Sequence, residues 1–177
     1  MQKNQMWQII VLIVLSLVFY WLFSPNVGDI LAGITYFVSV IIAGLTGGLI
    51  VSIVAPLLAG LVGLLGSALS EVLFSLIIAN VLLVLGFWLF TEIIFKEKNI
   101  LGIFLGVLVG SILRAIPVTI SANNITDISP ELRNALGFPQ FASALLGGLI
   151  LWILYIILAK TNNLPSWFIL NKASENN

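Results

Sequence analysis

The chain contains no cysteine and no histidine. Without cysteine there is no disulfide framework and no thiolate chemistry. Without histidine the commonest transition-metal ligand and the commonest general base are missing. Charge is scarce too: only 8% of the 177 residues are charged, and 7 basic residues cancel 7 acidic ones. Binding of nucleic acid needs a clustered basic face, so that partner class is excluded. A carboxylate-only metal site stays open, but the acids are scattered along the chain. No phosphate-cradling GxxxxGK[ST] stretch occurs, so the chain carries no ATPase of that kind. These absences point away from an enzyme and from any cofactor.

What is present is apolar surface, with 60% of residues hydrophobic. Ordinary soluble domains carry about 25% charged residues. Too few polar side chains remain here to face water, so the solvent must be a lipid bilayer. Spanning helices need about 20 mostly apolar residues each. Six segments qualify, at 7–23, 30–45, 47–66, 71–95, 99–120 and 139–159. The first follows Lys3 as a signal peptide would, but Ser24-Pro25-Asn26-Val27-Gly28 offers no small-x-small cleavage site, so it reads as a retained span. The second and third are joined by Thr46-Gly47-Gly48. One straight helix across both would be about 55 Å long, against a hydrocarbon core of about 30 Å. A tight glycine turn between two spans fits better, and five spans is the lesser alternative. The expectation is an all-α integral membrane protein: one domain over 1–177, a six-helix transmembrane bundle.

Basic residues set the orientation. Lys3, Lys96, Lys98, Lys160 and Lys172 fall on the side that carries both termini. The opposite side has Arg133 alone. The positive-inside rule then places both termini, and the tail 160–177, in the cytoplasm. The loop 121–138 becomes external; Ser129-Pro130-Glu131-Leu132 either starts a short surface helix there or is plain connection. Trp7, Tyr20, Trp21, Trp88, Trp152 and Trp167 fall mostly near span ends, as an aromatic belt would. After Pro165, the segment 164–170 is too short to span and suits the inner leaflet.

Two patterns remain inside the spans. Small residues recur every three or four positions: Ala55, Ala59, Gly60 and Gly63, and then Gly102, Gly106 and Gly110. Such rows let helices approach closely. They build either a compact bundle or a docking face for another membrane subunit. The second pattern is polar. Arg114 sits in an apolar stretch, where a charge costs about 2.5–3.5 kcal/mol and faces a cavity or a partner. Glu71, Gln140 and Ser143 fall at similar depth in the outer half, with Asn80 nearer the midplane. Helices four, five and six thus bring polar groups together, as an externally open pocket for a small solute requires. The guanidinium fork suits a carboxylate or phosphate. The structural alternatives are a Glu71–Arg114 pair, Arg114 reaching the interface, and an interhelical hydrogen bond for Asn80. Glu92 marks the cytoplasmic interface.

Four stretches carry a family likeness: LTGGLIVSIVAPLLAGLVGL (45–64), FSLIIANVLLVLGFWLF (74–90), GSILRAI (110–116) and GFPQFASALLGGLILWILY (137–155). With these the chain resembles the substrate-binding (S) components of energy-coupling factor (ECF) transporters, which import vitamins and other micronutrients into prokaryotes. The likeness covers most of 45–160 and rests on small residues in apolar helices. In one departure, 7–23 has only Ser16 as a small residue where the family's first helix often carries Ala-x-x-x-Ala. The resemblance implies a prokaryotic plasma membrane, a pocket open to the outside, a transmembrane T component and two cytoplasmic ATPases. A scaffold or assembly subunit is the alternative.

Overall fold

The computed structural model describes residues 3–65, 72–95, 99–124, 133 and 136–160. Within them lie five helices long and apolar enough to cross a membrane. They are α1 (Lys3–Leu22), α2 (Pro25–Leu61), α3 (Leu73–Trp88), α4 (Ile100–Asn124) and α5 (Phe138–Lys160), with a π-helical turn (Leu89–Ile94) extending α3. Among the described residues there is no strand. Lipid offers the backbone no hydrogen-bond partner, so apolar runs of this length must satisfy their amides internally, as helices do.

Local chemistry sets the boundaries. Pro25 opens α2, where its missing N–H costs nothing. Asn99 caps α4: its Oδ1 accepts the Gly102 N–H at 2.6 Å. Gly137, at φ 79, turns the chain into α5, and its carbonyl accepts the Phe141 N–H at 3.1 Å.

The segments expected separately at 30–45 and 47–66 are joined in the single element α2, which ends at Leu61. It is interrupted at Gly44, whose φ of 66 and ψ of −166 lie in a region open only to glycine. The chain folds back there. A Cβ built on Gly48 would sit 3.7 Å from the Cα of Val40. Along a straight helix those positions would be about 12 Å apart. The break therefore comes before the expected turn at 46–48. Gly47 and Gly48 serve packing instead: added Cβ atoms would meet Ala43 Cβ at 2.2 Å and Val84 Cγ1 at 2.8 Å. The two limbs, 25–43 and 45–61, consequently bring both ends of α2 to one end of the bundle.

The other glycine rows also point inward. A Cβ on Gly110 would lie 2.7 Å from the Leu83 carbonyl oxygen, and one on Gly106 would lie 3.0 Å from that of Phe87. These contacts pack α4 directly on the α3 backbone. Gly147 of α5 approaches α2 similarly, with Ile30 O 2.6 Å from its added Cβ. Of the two uses expected for small residues, these positions serve the compact bundle. The core between them holds Leu83, Ile103 and Val107, and the Phe37 and Phe87 rings meet edge-on at 4.9 Å.

The outside is apolar: Trp7, Val11, Trp21, Phe74, Ile112 and Ile153 are all exposed. Tyr20, expected in the aromatic belt, is instead buried, with its hydroxyl 3.2 Å from that of Tyr36. A phenol turned into a lipid-solvated bundle needs such a partner. The helix α4 runs to Asn124, into the loop expected at 121–138. Glu71, residues 66–70 and 125–132, Lys96, Lys98 and the tail beyond Lys160 lie outside the described residues.

Candidate binding site

Arg114 is fully buried, with no exposed surface. It sits on α4 in the turn before Pro117. Its partner is an acid that lies between the spans expected at 7–23 and 30–45. Asp29, in the second turn of α2, holds Arg114 Nη2 with its Oδ1 at 2.5 Å. From α5, Gln140 Oε1 accepts a second bond from the same nitrogen at 3.1 Å. Ser143, one turn along, donates its hydroxyl to Asp29 Oδ2, and its oxygen lies 3.5 Å from Arg114 Nη1. The Gln140 carbonyl is also 3.1 Å from that hydroxyl. The single proton favours the charged carboxylate. Three helices thus meet through one arginine, and the cluster is largely its own solvent.

Arg114, Gln140 and Ser143 come together as expected, but Glu71 cannot be placed, since it lies outside the described residues. Asp29 was the missed member. It precedes the apolar run 30–45 by one position, outside the expected span. The available signal was its depth: an acid at the lip of an apolar run, matching the depth of the buried cation.

Beside the cluster is a cavity of about 50 Å³. Tyr20, Asn26, Asp29, Arg114 and Gln140 contribute to its wall, with Asn80 from α3. Pro56, Leu64, Leu65 and Leu76 make the apolar part. The fold-back at Gly44 makes this possible, because Asp29 and Pro56 would be about 40 Å apart along a straight helix. The cavity lies at the end of the bundle where α1 finishes and α2 and α5 begin. Asn26, on its wall, is exposed to the surface.

Two of the wall residues each carry a buried polar atom with no hydrogen-bond partner, Arg114 Nε and Asn80 Oδ1. Leaving such a group unpaired costs about 1–3 kcal/mol. Asn80 is therefore not spent on the interhelical bond through its oxygen. No group of three metal-capable side chains occurs among the described residues. The arrangement can hold a small polar group, and it can lock three helices together. No protein-family profile, curated protein or solved structure matches the chain.

Proposed function

We propose that the chain is a membrane-embedded solute-binding subunit of an uptake transporter of the energy-coupling factor type. The observation that carries this reading is the cavity lined by polar side chains from five helices: Tyr20 on α1, Asn26 and Asp29 on α2, Asn80 on α3, Arg114 on α4 and Gln140 on α5. In this reading each limb of α2 crosses the bilayer, giving six crossings with both termini in the cytoplasm of a prokaryotic cell. The cavity end then faces outward and receives a small solute. The chain itself is a binding protein without enzymatic activity. Its energy comes from two cytoplasmic ATPases, coupled through a transmembrane T component. The resemblance over 45–160 and the basic-residue asymmetry support this assignment.

A scaffold or assembly role is the second reading. Its support is the bonding of Arg114 Nη2 to Asp29 and Gln140, and of Ser143 to Asp29, which needs no ligand. One experiment separates the two. The tagged chain is cross-linked in native membranes, extracted mildly, and its proteins and small molecules are identified by mass spectrometry. A polytopic membrane partner with ATPases is the expected result, together with a retained metabolite. Cross-linked partners that include no ATPase would refute the transporter reading.

A further inference from the structure

A solute of ordinary size does not fit the cavity as it stands. Its volume is about 50 Å³, and sites for small solutes run to about 300–1,000 Å³. Some part of the wall has to move. Most of the wall is tied. Arg114 bonds Asp29 and Gln140, Ser143 bonds Asp29, and Tyr20 meets Tyr36. Leu76 and Asn80 ride on α3, whose backbone packs directly on Gly106 and Gly110 of α4.

The far end of the second limb of α2 is held differently. With the turn after it, this end supplies Pro56, Leu64 and Leu65 to the wall. The two limbs converge where Gly48 meets Val40, and at their other ends the cavity lies between them. Among the described residues, no hydrogen bond ties 57–65 to another element. Leu57, Leu58, Leu61 and Val62 are exposed on its outer side. What keeps it inward is apolar contact: Ala59 and Leu65 are buried, and Gly60 faces the Leu73 side chain. Weakly tied segments of this kind are where lids are found. The segment also has a pivot. Pro56 lies inside the helix. It has no N–H, so the Ser52 carbonyl loses its usual intrahelical partner, and helices bend at such points. Beyond the pivot the piece is coherent. The Leu64 N–H donates to the Ala59 carbonyl at 2.8 Å and the Gly63 N–H to that of Gly60 at 3.1 Å. We propose that residues 57–65 are a flap that pivots at Pro56. Leu64 and Leu65 close the cavity in this structure and swing away to admit the solute. The purpose of the flap rests on the solute-binding reading; its motion does not.

The test measures the motion with no solute present. The chain has no cysteine, so introduced pairs carry spin labels at defined sites. Ser24→Cys with Val62→Cys spans the flap from exposed positions. Ser24→Cys with Phe138→Cys is the control, joining α2 to α5 across the locked Arg114 cluster. Distances are read by double electron–electron resonance on the full chain in liposomes. In Leu65→Ala, which removes the plug, a longer flap distance should gain at least about tenfold over the shorter one, a shift of about 1.4 kcal/mol. Leu65→Val should give the same shift in smaller measure, and it decides where the alanine variant does not fold. Adding Pro56→Ala, which restores the N–H, should reverse most of the gain. The control pair should keep one narrow distance throughout. A flap distance unmoved by the Leu65 variants overturns the proposal, as does a gain that Pro56→Ala leaves in place. Lengthening in both pairs overturns it too, because the bundle then loosens as a whole. Each of these outcomes leaves the solute-binding reading to the cross-linking result. Cross-linked partners without an ATPase refute that reading and leave the flap standing.

Discussion

Replacing Asp29 with alanine isolates the Arg114 cluster. The variant removes the 2.5 Å contact to Nη2 and the acceptor of the Ser143 hydroxyl. It leaves a guanidinium with no exposed surface and no counter-charge among its hydrogen-bond partners. Breaking a buried ion pair from one side costs about 3–5 kcal/mol, because the surviving charge stays buried. Gln140 still accepts one bond, which places the expected loss nearer the lower figure. The double variant Asp29→Leu with Arg114→Met removes both charges. Exchanging a buried pair for apolar side chains is often neutral or better, and the arginine's cost in lipid of about 2.5–3.5 kcal/mol disappears with it. Against this, Gln140 and Ser143 lose their charged partners, at about 1–3 kcal/mol for each polar group left unpaired. The double variant should still be more stable than Asp29→Ala by about 2 kcal/mol. The assay is reversible unfolding in mixed micelles of rising dodecyl sulfate content, followed by the fluorescence of the 5 tryptophans. A loss below about 1 kcal/mol in Asp29→Ala, or a double variant no more stable than the single, would refute the argument that the pair is desolvated and mutually dependent.

Two further predictions concern glycines and use the same assay. Gly110→Ala should destabilise by about 1–3 kcal/mol, since its Cβ would meet the Leu83 carbonyl oxygen at 2.7 Å and backbone cannot swing aside; a cost under about 0.5 kcal/mol would mean α3 and α4 separate freely. Gly44→Ala should cost about 1–3 kcal/mol through backbone strain alone, because nothing lies within 4 Å of the added Cβ. An unchanged unfolding midpoint there would show that the fold-back does not need the positive φ.

Residue types and their spacing along the chain determined the broad architecture. Apolar runs with so little charge between them leave lipid as the only solvent, and lipid permits a long apolar segment few structures besides a helix. The elements at 7–23, 71–95, 99–120 and 139–159 were legible on that basis to within a few residues. The depth of Arg114, Gln140 and Ser143 was legible too, because rise per residue converts position into depth. Pairing was not. Depth says which residues share a layer, and rotation of each helix decides which of them touch. Thus Asp29, one residue before an apolar run, became the counter-ion of Arg114 through packing of α2 on α4 and α5. Tyr20 turned inward to Tyr36 although its place near a span end suits an interface. The reversal at Gly44 was likewise decided by packing. Three glycines, at 44, 47 and 48, offered the chain a turn, but two of them were needed where backbones and side chains crowd. Only the tertiary structure could assign the turn to the residue with open space around it, and so bring Pro56 and Asp29 to the same cavity.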